Sequence, residues 1–169
     1  MSVVVIGVNH RTSPLQVLEK VSINPADMAK ALHSLSSRNN IREAVVLSTC
    51  NRTEVYAITE KFHAAYADIS DFFCELGGLV PDELNNHLYS QHDDAAITHL
   101  FEVACGLDSA VIGENEILGQ VRDAWTNAQS EGASRSTLNL LFRHALETGK
   151  RARTETGISR STTSISFAA

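Results

Sequence analysis

Three short apolar runs constrain this chain more than any other feature: Val3 to Val8, Ala44 to Leu47 and Val55 to Ile58. Each is shorter than an ordinary helix and rich in β-branched residues, which predicts buried strands. Between the first two, Pro14 can open a helix with Val17, Leu18 and Val21 on one face. Asn24 and Pro25 repeat the start signal, as cap and first helical residue. Met28, Leu32 and Leu35 then share a face, and the polar stretch Ser36 to Asn40 ends the helix. The polar corner Ser48 to Thr53 is short enough to make the second and third strands antiparallel neighbours. Phe62 to Leu76 reads as a helix stopped by Gly77 and Gly78. Pro81 to Leu84 follows as a helical turn and Leu88 to Gln91 as a weak fourth strand. The order β-α-β-β-α-β is that of the ferredoxin-like split unit. We therefore expect an α+β fold, with a ferredoxin-like subdomain over residues 1–92.

From Asp93 the pattern turns helical. Asp93 or Asp94 can cap a helix carrying Ile97, Leu100, Phe101 and Ala104, closed by Gly106. A second begins near Asn115 and carries Ile117, Leu118, Val121, Ala124, Trp125 and Ala128. A third runs from about Leu138 to Thr154, with Leu141, Phe142, Ala145 and Leu146 on one face. Residues 93–137 thus form a helical part and 138–169 the start of a long linker helix. The tail from Gly157 to Ala169 stops in mid-pattern, as a piece of a longer chain would.

Composition narrows the function classes. No apolar run approaches the roughly 18 residues needed to span a bilayer. The opening Met1 to Ile6 lacks the basic region and cleavage site of a signal peptide. Cys50, Cys74 and Cys105 form no Cys-x-x-Cys pair, and a sparse odd set fits the reducing cytoplasm. The six histidines other than His99 show no metal-ligand spacing. There is neither a Gly-x-Gly-x-x-Gly nor a Gly-x-x-x-x-Gly-Lys, so no dinucleotide or NTP loop of those kinds. The net charge of −6 argues against a general nucleic-acid binder. It is uneven, however. Residues 135–169 carry six basic groups against two acidic ones, or +4, which leaves −10 for residues 1–134. A basic end on an acidic body can meet a phosphate backbone locally, or it can be a solvated helix face.

The informative segment is Leu47-Ser48-Thr49-Cys50-Asn51-Arg52-Thr53-Glu54. A strand fixes Cys50 and a polar corner leaves room beside it. Arg52 would favour the nucleophilic thiolate, and an arginine can grip a carboxylate with two parallel hydrogen bonds. The same residues also describe a small buried cysteine with polar turn neighbours. His99 lies beside the apolar stripe of its helix, either as a proton carrier for a nearby thiol or as a half-buried helix residue. Gly106 to Gln120 places Gly106, Gly113, Ser109, Glu114, Asn115, Glu116 and Gln120 before and at a helix N-terminus. That is either a ligand-approach loop or a plain helix connection.

Four blocks in order resemble the glutamyl-tRNA reductase family: Gly7-Val8-Asn9-His10 with Thr12-Ser13-Pro14; Leu47 to Glu54; Gly106-Leu107-Asp108-Ser109 with Ile112-Gly113-Glu114 and Ile117 to Val121; and Arg151 to Thr156. Ser48-Thr49-Cys50-Asn51-Arg52 is the most diagnostic. The resemblance implies an enzyme of tetrapyrrole synthesis that reduces tRNA-bound glutamate to glutamate-1-semialdehyde with NADPH. It makes Cys50 the nucleophile that forms a glutamyl thioester and His99 the acid/base residue. It makes Thr49, Asn51, Arg52, Ser109, Glu114, Asn115, Glu116 and Gln120 substrate contacts, with Arg52 holding the glutamate carboxylate. Asn115 and Glu116 fall where relatives vary. Family members are much longer. The resemblance implies a Rossmann domain for NADPH and a helical dimerisation domain beyond this chain, a homodimer, regulation by heme and transfer of product to glutamate-1-semialdehyde aminomutase. The residues present are expected to form the thioester and lose it to water.

Two other classes compete. A non-enzymatic ferredoxin-like module for RNA or protein would leave activity indifferent to Cys50. RNA-binding sheets of that kind show aromatics on their central strands, which Val3 to Ile6 and Ala44 to Leu47 lack. A thiol redox sensor at Cys50 would need Cys74 or Cys105 as resolving partner.

Overall fold

The computed structural model describes residues 1–158; Arg160 and the apolar close Phe167 to Ala169 of the sequence reading lie outside them. Four strands, β1 (Ser2–Asn9), β2 (Glu43–Ser48), β3 (Arg52–Thr59) and β4 (Tyr89–His92), form one sheet in the order β2-β3-β1-β4. Every pairing is antiparallel. Seven helices accompany it among the described residues: α1 (Leu15–Lys20), α2 (Met28–Ser36), α3 (Phe62–Gly77), α4 (Pro81–Leu84), α5 (Asp94–Cys105), α6 (Glu116–Ser130) and α7 (Ser136–Glu155). The expected α+β, ferredoxin-like order with a helical part behind it is the architecture found.

β3 is buried from end to end, and β1 and β2 are buried over most of their length, because both sheet faces are covered there, whereas the edge strand β4 is half-buried to exposed. Val4, Val5, Ile6, Val8, Val45, Val46, Val55, Tyr56 and Ala57 are all fully buried. A run with no polar alternation is what two-sided burial produces. Side chains alternate across the sheet, so Thr53, Val55 and Ala57 face one way. That face meets the α1–α2 connection, where the Ile23 amide donates to Ser48 Oγ at 3.0 Å. Arg52, Glu54 and Tyr56 face the other way, toward α5 and α7. The Tyr56 ring meets Phe142 edge-on at 5.4 Å. Core residues from both parts of the chain belong to one continuous cluster.

Several boundaries differ from the sequence reading. The second helix begins with a 3₁₀ turn, Pro25–Asp27, and Asn24 makes no side-chain cap. At α5 neither Asp93 nor Asp94 caps through its carboxylate; Asp93 instead turns the chain at φ 50°. The larger correction concerns β3, which begins at Arg52 and not at Val55. The polar corner therefore shrinks to Thr49, Cys50 and Asn51, and Arg52, Thr53 and Glu54 join the sheet. They read as loop because they are polar. They are strand because each finds a partner in the interior.

One side chain clasps the start of α7 to the sheet. Glu43, at the start of β2, is 6% exposed. Its carboxylate accepts the amides of Arg135 at 2.8 Å, Thr137 at 3.2 Å and Leu138 at 2.9 Å. These are among the amides that a helix start leaves without internal partners, so Glu43 caps α7 from 92 residues away. At the other end, Gly149 lets α7 close on α5: a Cβ there would lie 2.7 Å from the Ala104 carbonyl oxygen. Arg153 donates from the same helix to the carbonyls of Ala104 and Glu114.

Candidate active site

Cys50 is exposed on the three-residue corner between β2 and β3. Two backbone bonds fix that corner. The Thr49 amide donates to the Arg52 carbonyl at 2.8 Å, and the His10 amide donates to the Asn51 carbonyl at 2.9 Å. The Asn51 amide also donates to Thr49 Oγ1 at 3.1 Å. A thiol held by backbone yet open to solvent is accessible and fixed in place. Cys74 is half-buried and Cys105 is buried; burial raises the pKa of both thiols, which makes them poor nucleophiles.

Behind the corner lies a fully enclosed charged cluster centred on Glu54. Its Oε1 accepts from Arg52 Nη1 at 2.9 Å, from the Tyr89 hydroxyl and from His99 Nε2 at 2.8 Å. Its Oε2 accepts from the Tyr56 hydroxyl at 2.6 Å. Burial alone would raise the Glu54 pKa. The hydrogen bond from His99 and the positive charge of Arg52 outweigh it, and the carboxyl falls to about 2. Glu54 is therefore ionised throughout the neutral range. As an obligate acceptor it requires a proton on His99 Nε2. Nδ1 of that ring has no hydrogen-bond partner among the described residues. Arg52 responds in the opposite sense: burial would lower its pKa, but Glu54 and its other partners hold it above the ordinary arginine value. Burial and the adjacent Glu54 charge raise the pKa values of both tyrosines, which stay neutral donors.

Gly7 makes the cluster possible. It pairs with Glu54 on one side and Tyr89 on the other. A Cβ there would lie 2.5 Å from the Thr53 carbonyl oxygen and 2.9 Å from Glu54 Cγ. Only a residue without a side chain lets the Glu54 carboxylate cross the strand toward Tyr89.

The loop after α5 closes the cluster from outside. Asp108 Oδ2 accepts from Arg52 Nη1 at 3.0 Å, and its carbonyl accepts from Arg52 Nη2. Asp108 Oδ1 accepts from Arg11 Nη1 at 2.7 Å. Beside it, Ser109 is 4% exposed and its hydroxyl is buried without a hydrogen-bond partner among the described residues. A buried unpartnered hydroxyl costs stability unless something uses it.

The predicted residues thus fall into two groups. Thr49, Cys50, Asn51, Arg52, His99 and Ser109 gather around the corner, the buried cluster and the loop that closes it. Arg52, read as an open corner residue, is instead 1% exposed with its guanidinium already engaged. Glu114 and Gln120 are half-buried and Asn115 and Glu116 exposed, at and before the start of α6. No recorded hydrogen bond among the described residues joins them to the corner. Sequence reasoning missed Gly7's packing role, Tyr56, Tyr89, Asp108 and the hub itself, Glu54. The signal was present: Arg52, Glu54 and Tyr56 are spaced by two, as charges on one face of a strand must be. Elsewhere, a cavity of about 330 Å³ lies between α2 and α3 on the opposite sheet face. Its lining includes Ile23, Lys30 and Phe72 but no cysteine or histidine.

The comparisons with known proteins point one way. The family model described as glutamyl-tRNAGlu reductase, N-terminal domain, matches residues 6–156. The chain is 50% identical over 165 residues to a glutamyl-tRNA reductase of Frankia alni, covering 98% of this chain and 35% of that protein. It is 43% identical over 169 residues to that of Bacillus subtilis, covering 100% of this chain and 37% of the relative. The solved glutamyl-tRNA reductase from Methanopyrus kandleri superposes with a TM-score of 0.78 at 34% identity, over 98% of this chain and 38% of that one. The chain therefore spans between a third and two-fifths of the length of these relatives.

Proposed function

Since the chain belongs to the glutamyl-tRNA reductase N-terminal domain family, we propose that it carries the acyl-transfer half of that enzyme's chemistry, with Cys50 as nucleophile. The observation that supports this best is an exposed, backbone-fixed thiol two residues before Arg52, whose guanidinium shares the buried, ionised Glu54 with His99 Nε2.

The substrate is glutamate esterified to its tRNA. His99 takes the Cys50 proton at Nδ1, the ring atom that Glu54 leaves free. The thiolate adds to the ester carbonyl, the carbon–sulfur bond forms and the carbon–oxygen bond to the ribose breaks. His99 returns its proton to the departing ribose oxygen. The product is a glutamyl thioester on Cys50 and free tRNA. Splitting one transfer into two keeps the acyl group activated after the tRNA has gone. Arg52 receives the glutamate side-chain carboxylate by exchanging it for the Asp108 carboxylate on the same guanidinium, a match of charge and geometry. The orphan hydroxyl of Ser109 gains a partner when substrate fills the site. Thr49 and Asn51 frame the thiol, and Glu114, Asn115, Glu116 and Gln120 complete the contacts as the loop and α6 close over the acyl group.

NADPH is the reductant that the family implies. The sheet is wholly antiparallel, while dinucleotide sites of the Rossmann type need a parallel β-α-β turn with clustered glycines. Without hydride transfer, the acyl group on Cys50 is lost to water, releasing glutamate. We place NADPH binding, dimer formation and delivery to an aminomutase in the longer protein, acting in the cytoplasm, with α7 as the start of its linker helix. The division into 1–92, 93–137 and 138–169 belongs to the same proposal. The test is release of glutamate from glutamyl-tRNA: the chain should accelerate it, and Cys50→Ser should return it to the uncatalysed rate. A Cys50→Ser chain as active as the parent would refute the reading.

The alternatives fare worse. An RNA platform on the sheet needs exposed aromatics; Tyr56 is buried, and the half-buried Tyr89 has its hydroxyl bonded to Glu54. A redox pair at Cys50 would need Cys74 or Cys105, which sit on α3 and at the end of α5 and not on the corner.

A further inference from the structure

We propose that Arg11 is a specificity residue of this site: it engages a phosphodiester at the 3′ end of the tRNA while Arg52 holds the glutamyl group. The inference rests on the acyl-transfer reading above. Two guanidiniums meet one carboxylate here, Arg11 on Asp108 Oδ1 and Arg52 on Asp108 Oδ2. They differ in access. The Arg52 side chain is 2% exposed and that of Arg11 is 54% exposed. Arg52 is therefore confined to the interior, where only the acyl part of a substrate can reach. Arg11 stands outside, where the nucleic acid must stay.

Its position is not incidental to the thiol. Arg11 follows His10, whose amide is bonded to Asn51, the residue next to Cys50. The loop itself is built: Asn9 is 7% exposed, and its Oδ1 accepts the amides of Arg11 at 2.9 Å and Thr12 at 3.1 Å. Arg11 is thus presented on a fixed turn against the corner. Of its five N–H donors, one is used by Asp108 in the recorded hydrogen bonds. An exposed pair of this kind is weak and exchanges readily for another anion. Charge balance adds a reason. Residues 1–134 carry −10, so the body of the domain repels a polyanion, and a cation beside the thiol offsets that repulsion where the ester must dock. An arginine is also suited to bind phosphate with paired hydrogen bonds.

The test compares two acyl donors on the chain and on R11Q and R11K: glutamyl-tRNA, and a small activated ester of glutamate such as the p-nitrophenyl ester. The readout is kcat/KM for acylation of Cys50 over a series of KCl concentrations. The proposal predicts that R11Q lowers the ratio of the tRNA-dependent to the small-ester value about tenfold at low salt, the size expected for one charged contact. The logarithmic salt dependence with tRNA should flatten by about 0.7, as for one lost phosphate contact on a single strand. R11K should recover most of both. If R11Q slows the two donors equally, Arg11 acts through the Asp108 loop or on the glutamyl group, and the proposal fails. If neither changes, Arg11 is a solvated cation, and the proposal fails. If the parent chain is acylated by neither donor, the acyl-transfer reading falls first and this inference with it.

Discussion

A single buried carboxylate organises the chemistry of this domain, and it acts through its neighbours. Glu54 orders Arg52, Tyr56, Tyr89 and His99 around two oxygens. Replacing it with glutamine removes the charge while leaving Arg52 enclosed. Arg52 then keeps Asp108 as its one recorded charged partner, and removing one partner from a buried ion-pair network is destabilising, so E54Q should unfold at lower urea than the parent. Acylation of Cys50 should also slow in E54Q, because His99 is no longer held in one tautomer. Gly7 makes a simpler case. Alanine at that position drives a methyl into the Thr53 carbonyl and the Glu54 stem. Overpacking of this kind costs roughly 1 to 3 kcal/mol, and urea denaturation of G7A should show a lowered midpoint at unchanged slope. Cys50, His99 and Ser109 were picked out in the sequence by family resemblance, and their roles belong to the proposal. Glu54 appeared there only as the end of a motif, because its importance depends on five residues spread from Gly7 to His99 converging on it. No local pattern carries that convergence.

At the scale of elements, the strands and helices were readable wherever burial matched the simple periods. β1, whose interior is apolar throughout, appeared as a two-sided buried strand. β3 was readable only in its apolar half, because polarity was taken as loop where it was in fact a charged stripe facing α5. The same physics hid the cap of α7. Its first turn contains Arg135, Ser136 and Thr137, and nothing nearby in sequence is the capping group; that group is Glu43, on the edge strand β2. Three amide bonds to a carboxylate at a helix start combine hydrogen bonding with the helix dipole. Glu43→Ala should cost roughly 1.5 to 3 kcal/mol, the range for hydrogen bonds to a charged group. The loss should be local first. Amide exchange at residues 135–138 should accelerate in Glu43→Ala well before that of the β1 and β3 core. Uniform acceleration across the chain would mean that Glu43 is only a general contributor to stability and not the clasp between sheet and helical layer.

For the whole molecule, the continuous core makes sheet and helical layer one cooperative body, so the state of Glu54 is felt globally. Its folded pKa of about 2 lies below the ordinary carboxylate value near 4.3. Stability from this group is fully present above the unfolded value and disappears as pH falls through the folded one. The free energy of unfolding should therefore decline between roughly pH 4.3 and pH 2. In E54Q this component should be absent, so the parent and variant curves converge at low pH and diverge above it. Parallel curves through that window would show that Glu54 titrates normally in the folded state. The asymmetric charge of the chain has a matching consequence for association: an acidic body must admit a polyanion at one point, and the corner with Cys50 and Arg11 is that point in our account.

The central claim is that Cys50 becomes acylated. Intact-mass spectrometry of the chain after brief mixing with glutamyl-tRNA, beside Cys50→Ser, tests it most directly. The account predicts one glutamyl adduct on the parent chain, removed by hydroxylamine, and none on Cys50→Ser. An adduct that survives in Cys50→Ser, or a parent chain that stays unmodified while glutamate is released, would contradict it.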